Sequence, residues 1–147
     1  MSYTDRFLEY AAAFEETFAD DNWERLEQFF TEDAVYLPGD GTEAVGRDNV
    51  LAALRRSVDS LDRRFDSRSM GDIPPPSESG NVVTLIWSLI LSKEGQPDLT
   101  LSGREYATFS GDAIQRLEDV FDEGVVETMG NWMREHGASL GSQDSAR

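Results

Sequence analysis

The side chains able to do chemistry in this chain are carboxylates, tyrosines and arginines, because its 147 residues include no cysteine and one histidine, His136, near the end. Without thiols there is no disulfide framework, no thiol nucleophile and no thiolate metal site. A single imidazole among scattered carboxylates gives no ligand set for a metal, so neither a metal nor a cofactor is expected. What remains is acid–base chemistry, in which a desolvated pair of carboxyls splits into a neutral acid and a charged base. Tyr36 and Tyr106 could hydrogen-bond a ligand's oxygen, or pack half-buried with the hydroxyl in water. Phe14, Phe18, Trp23, Trp87 and Phe109 could line an apolar pocket or fill it. Met129, Trp132 and Met133 could close a pocket as a lid or dock on a sheet, and His136 reads as surface.

The elements that position these groups follow from hydrophobic period. Phe7, Ala11, Phe14 and Phe18 recur at helical spacing with acids between them, which predicts an amphipathic helix over 4–19. Asp21 or Asn22 is placed to cap a short second helix carrying Trp23, Leu26 and Phe30 on one face. A brief strand over 34–37 ends in the loop Pro38-Gly39-Asp40-Gly41, and a third helix runs from about 47 to 64 with Val50, Leu54, Val58 and Leu61 inward. The period then changes to two. Residues 65–73 read as a polar strand, Pro74 to Gly80 as a turn, and 82–92 as a strand apolar on both faces and covered on both. Strands over 99–109 and 113–121 follow by hairpins, and Val125, Met129, Trp132 and Met133 mark a last helix. The order of helices first and a meander second gives an α+β domain over 1–138, with a polar, disordered tail over 139–147.

Composition excludes several partners. A net charge of −16, from 29 acidic against 13 basic residues, repels phosphate backbones and anionic membranes, so nucleic acid and membranes are not expected partners. No segment reaches the roughly 20 apolar residues of a membrane helix, and no basic stretch leads into an apolar one at the start, which fits a cytoplasmic protein. Only Lys93 among the 13 basic residues is a lysine; the acid-rich, lysine-poor surface fits either a salty, halophilic cytoplasm or a GC-rich genome.

A helix, a short helix, a strand reading Glu32-Asp33-Ala34-Val35-Tyr36, a helix start at Gly46-Arg47-Asp48, and a meander carrying Gly111-Asp112-Ala113-Ile114 and Leu117-Glu118-Asp119-Val120-Phe121-Asp122 occur in that order. Over residues 5–123 this order resembles the nuclear transport factor 2-like superfamily, and within it the SnoaL-like branch of polyketide cyclases, ketosteroid isomerases and limonene epoxide hydrolases. The resemblance implies a cone-shaped α+β barrel, with N-terminal helices packed on a curved, mostly antiparallel sheet around a pocket for a small apolar molecule. It also implies a homodimer through the outer sheet face, where Thr84, Ile86, Ser88 and Ile90 would point outward.

The resemblance places chemistry residue by residue. The isomerases' tyrosine position falls on Phe14, their base on Leu37 and their acid on Glu105, so two of the three groups are missing. The cyclases' carboxylate also falls on Glu105, while their histidine position, near Leu91, holds no histidine. The epoxide hydrolases' last-strand aspartate falls on Asp119, without the Arg-x-Asp pair expected near 87–91. Glu105 and Asp119 are thus the candidate catalytic pair, with Phe14, Phe18, Trp23, Tyr36, Trp87 and Phe109 as ligand-binding candidates. The alternative is that one acid faces solvent or pairs with Arg104 or Arg116. Three readings stay open: a cofactor-independent acid–base enzyme of cyclase, isomerase or hydrolase type, a non-catalytic small-ligand binder, and a dimerisation module filled by its own aromatics.

Overall fold

The computed structural model describes residues 2–140. Helix α1 (Tyr3–Asp20) is opened by Ser2, whose hydroxyl accepts from the Asp5 N–H while the Asp5 carboxylate accepts from the Ser2 N–H, a capping box. It ends at Asp21, held at φ 62 with its N–H on the Thr17 carbonyl. Asp21 therefore closes α1 rather than capping the next helix, and its carboxylate accepts from the Trp23 indole, Arg55 and Arg63. The next helix is a 3-10 segment, Trp23–Phe29, with no side-chain cap from Asn22.

Strand β1 (Phe30–Leu37) begins four residues before the expected start, because Phe30 already pairs with Ile114. A two-residue strand, β2 (Ala44–Val45), folds back on it, too short to leave a period in the sequence. Helix α2 (Arg47–Ser60) is followed by a 3-10 turn, Asp62–Arg64, where the expected helix would have continued. Strand β3 (Ser67–Met70) is shorter than the polar stretch suggested, since Pro74, Pro75 and Pro76 offer no N–H to a ladder. Part of what reads as a turn is β4 (Ser77–Ser79), a polar strand hairpinned onto β5. The spans of β5 (Val82–Ser92), β6 (Leu99–Ser110) and β7 (Ala113–Phe121) match the apolar runs closely. Helix α3 (Val125–His136) and a 3-10 turn at Gly137–Leu140 complete the described chain. That turn includes the first two residues of the expected tail, and the rest of the tail lies outside the described residues.

The seven strands form one sheet in the order β2-β1-β7-β6-β5-β3, with β4 on β5; all neighbours are antiparallel except β1 and β7. β2 and β3 are its two edges, so the curved sheet stays open rather than closing into a barrel. α1, α2 and the 3-10 segment pack on its concave face around Phe7, Leu26, Val50, Val83, Ile114 and Leu117, all at most 1% exposed. Each such side chain contributes about 1.5–3 kcal/mol by leaving water. β5 is covered by this chain on its inner face only: Thr84, Ser88 and Ile90 are half-buried and Ile86 is 43% exposed on the other. Among the described residues no helix is long and apolar enough to cross a membrane.

Candidate active site

The inward residues of β5, β6 and β7 form rows. Leu85, Glu105 and Asp119 face one another in register, with Val83, Ala107 and Leu117 in the row on one side and Trp87, Gly103 and Phe121 on the other. Directly opposed residues on antiparallel strands hold their Cβ atoms about 4.5–5.5 Å apart, so the two carboxyls meet. A bulge gives Asp119 this direction. The β6–β7 register steps from Phe109 opposite Ile114 to Thr108 opposite Arg116, leaving Gln115 as an extra residue. Ile114 and Leu117 are accordingly both buried although three apart; without the bulge, a strand that turns Ile114 inward would turn Asp119 outward.

Two tyrosines complete the group. Tyr36 of β1 lies in register with Leu117, and its hydroxyl donates to Asp119 Oδ2 at 2.9 Å. Tyr10 reaches the same region from α1, is 4% exposed, and is close enough for both carboxyls to act on it electrostatically. Burial, then the charges of the two acids, raise both phenols well above their ordinary range, so each stays a donor. Tyr10 is the residue missed by the sequence reading, which counted the tyrosine position onto Phe14, one helical turn along. The available signal was the spacing itself: Tyr10 and Phe14, at i and i+4, share one helix face, and their rings stand 6.3 Å apart. Tyr106, by contrast, alternates with Glu105 and lies opposite Thr84 and Glu118 on the outer face, so it does not reach the pair.

The carboxyls share a hydrogen bond. Burial pushes Glu105 well above the usual carboxylate range, and the Asp119 charge and the shared bond push it further. Burial raises Asp119 too, but the bonds it accepts from Glu105 and Tyr36 oppose that rise. Both acids are thus raised above the ordinary carboxylate range, so the pair resists losing both protons, and Asp119 is the one whose charge accepted hydrogen bonds support. Neither acid is neutralised by a cation in the way considered above. Arg116 pairs with Glu118 at 3.5 Å, and Arg104 is exposed on the outer face. Both acids are half-buried as whole residues, and burial is the first cause of the rise in each.

The aromatic candidates divide. Trp87 is half-buried beside the pair, stands edge-on to Phe121 with centroids 5.8 Å apart, and has a buried indole N–H without a hydrogen-bond partner. Gly103 makes this contact possible: a Cβ there would run into the Val120 carbonyl and come within 2.9 Å of the Trp87 ring. Phe14 bridges Tyr10 and Trp23. Trp23 is buried with its indole on Asp21, and Phe109 is 2% exposed against Tyr3; both serve as core. The guanidiniums of Arg63 and Arg68 both stack on the Phe18 ring, 5.5 and 4.9 Å from its centroid. Two cavities, of about 400 and 350 Å³, border α2, and neither is lined by Glu105 or Asp119. Among the described residues no group of three or more His, Asp or Glu side chains could hold a metal.

Comparison with known proteins places this geometry in context. The sequence profile of the SnoaL-like domain matches residues 11–119. A nuclear transport factor 2-like protein of unknown function from Burkholderia pseudomallei is similar in structure, with a TM-score of 0.64 at 18% identity over 88% of this chain and 97% of that one. A protein from Shewanella denitrificans assigned as a SnoaL-like polyketide cyclase gives a TM-score of 0.63 at 16% identity over 88% and 97%. A protein of ketosteroid isomerase-like fold from Catenulispora acidiphila, bound to trimethylamine, gives 0.61 at 18% identity over 83% and 92%. At these identities the likeness is one of fold. A search of curated proteins finds no match.

Proposed function

The chain belongs to the SnoaL-like domain family, and from that membership we propose a cofactor-independent, cytoplasmic acid–base enzyme that moves a proton next to a carbonyl in a small, uncharged, mostly apolar molecule. The observation that carries this reading is the opposition of Glu105 and Asp119 across β6 and β7, both raised by burial, with a tyrosine hydroxyl on Asp119. Asp119, ionised and held in place by Tyr36, takes the proton from the carbon beside the carbonyl. The charge that develops on the carbonyl oxygen is stabilised by donors, the Tyr10 hydroxyl and the Glu105 O–H, which turns from Asp119 to that oxygen as Asp119 takes up its proton. Returning the proton to another carbon completes an isomerisation; attack by the enolate carbon on a second carbonyl of the same molecule forms a carbon–carbon bond as that carbonyl's π bond breaks, and the proton returned from Asp119 to the resulting alkoxide completes a cyclisation. Tyr10 and Glu105 supply the donors whose positions had looked partly empty in the sequence.

Turnover of small enones, diketones and lactones tests the proposal. Asp119→Asn is expected to lower the rate about 10²–10⁴-fold, the usual contribution of a positioned acid or base, and Glu105→Gln to lower it less, since an amide still donates. Equal turnover in wild type and Asp119→Asn would remove Asp119 from the mechanism. A second reading, a ligand binder or dimerisation module, draws support from Trp23 and Phe109, which sit in the core where a wider pocket would need space. Absence of turnover across that screen, together with unaltered binding of the same compounds by Asp119→Asn, would favour it.

Either reading includes a homodimer through the outer face of β5 and β6, where Ile86 at 43% and, on β7, Val120 at 44% exposure offer apolar contact. Sedimentation of Ile86→Glu is expected to show a monomer where the wild type is a dimer; a wild-type monomer would exclude this interface.

A further inference from the structure

Helix α3 lies beyond the segment matched by the family profile, which ends at residue 119. It takes no part in the main core. Its buried residues Val125 and Trp132 pack instead with Phe65, Leu89, Leu91, Leu99 and Leu101, a separate cluster. Those leucines continue the inward rows that contain the acids: Leu89 and Leu91 follow Trp87 on β5, and Leu99 and Leu101 precede Gly103 on β6. α3 therefore covers the same concave face immediately beside Glu105 and Asp119. Trp87 and Phe121, the row next to the pair, are half-buried against its cluster.

The attachment of α3 is lighter than that of the other helices. α1 and α2 are tied to the rest of the chain by ion pairs such as Arg68 to Glu15 and Arg55 to Asp21, whereas among the described residues the charged pairing of α3 is internal, His136 with Glu135. Its side-chain hydrogen bond to the sheet side is one, from Trp132 Nε1 to the Pro97 carbonyl at 2.9 Å. Val126 is 57% exposed, and Met129 and Met133, whose unbranched side chains adapt to changed surroundings, are only half-buried. The helix leaves β7 through Asp122, Glu123 and Gly124, and Gly124 stands at φ +85, a conformation that glycine reaches without strain. Beneath it, the Trp87 indole N–H is buried without an acceptor, an arrangement that proteins rarely leave unsatisfied.

We propose that α3 is a movable cover of the Trp87 and Phe121 row beside the acid pair, swinging on the turn at Asp122 to Gly124 to admit a flat, uncharged molecule whose acceptor meets the Trp87 N–H. The proposal rests on the acid–base reading for the nature of the guest. Among the described residues no cation acts on either acid, so an anion is not favoured there, and a cation would neutralise the Asp119 charge that serves as base. The cover itself rests on packing alone, so it can stand or fall separately from turnover.

The absence of cysteine makes single-cysteine labelling a clean test. Leu101→Cys lies beneath α3 and Ala107→Cys in the main core, on the same face of one strand. With a neutral thiol reagent in the absence of denaturant, Leu101→Cys is expected to react at least ten-fold faster than Ala107→Cys. Adding Trp132→Phe, which removes the tie to Pro97, is expected to speed position 101 several-fold and leave position 107 unchanged. Because Leu101→Cys itself loosens the cluster, amide exchange in the unaltered chain provides the second measurement, with α3 expected to exchange at least ten-fold faster than α1 and α2. Equal labelling rates, or exchange of all three helices at one rate, would mean that α3 opens only on global unfolding and would overturn the proposal. Saturating 2-naphthol, a flat uncharged probe, is expected to slow labelling at 101; no protection would overturn the link between the cover and a guest of this kind. Loss of the cover result with Asp119-dependent turnover intact would leave the enzyme reading in place.

Discussion

At Glu105 a carboxyl is held where water cannot solvate a charge, across from a second carboxyl, and the consequence for stability has a definite sign. The folded-state value of Glu105 lies above its ordinary one of 4.5, so its stabilising contribution is complete below the unfolded value and is lost as pH rises toward the folded value. Glu105→Gln keeps a donor for Asp119 but cannot ionise. Its stability relative to wild type should therefore climb above pH 4.5, by at most about 1.4 kcal/mol per pH unit, as read by urea unfolding across pH. A pH-independent difference would mean that Glu105 titrates normally. Tyr36→Phe removes a hydrogen bond that favours ionised Asp119, so it should move the acid limb of any pH–rate profile to higher pH. The two acids were legible through the positions that the resemblance gave them, but their opposition was not, because an unbulged hairpin from Ser110 and Ala113 would set Glu105 against Glu118. Tyr10 was not, since the count along α1 stopped at Phe14, one turn on, and either aromatic fits the amphipathic pattern.

Among the elements, β6 and β7 position the site, and two irregularities in them do what regular strands would not. The Gln115 bulge turns Asp119 inward, and deleting Gln115 should abolish turnover while leaving a folded sheet, visible as an unchanged amide NMR pattern on β5 and β3. Gly103 lets the Trp87 and Phe121 rings close over the sheet. Gly103→Ala forces a Cβ into the Val120 carbonyl and should cost about 1–3 kcal/mol in chemical unfolding; a neutral effect would show that the strands there separate readily. The long strands were legible from their apolar runs, and so were α1 and α3 from their period. The short pieces were not: β2 and β4 are too brief and too polar to show alternation, and the 3-10 segment at Trp23–Phe29 shares its apolar spacing with an α-helix. Asp21 shows the limit of local rules, being a good cap by type that instead takes a left-handed conformation and gathers the Trp23 indole and two arginines.

For the whole molecule, a charge of −16 repels itself across the surface. Melting temperature should rise between low and molar salt as that repulsion is screened, and a temperature that does not rise would count against adaptation to a salty interior. The order of elements made the α+β layering and the family legible before any coordinates. The open edges at β2 and β3 were not, because closure depends on strand curvature rather than on composition. The family fold with its helices seated on the concave face is what buries Glu105 and Asp119 together, so the state of that pair reports on the intact domain rather than on either residue. Carboxyl carbon NMR titration of wild type beside Glu105→Gln tests this most directly. One carboxyl titrating far above the ordinary range, with its signal absent in the variant, is the predicted result; a spectrum in which every carboxyl titrates in the ordinary range would contradict a buried pair that shares a proton at neutral pH.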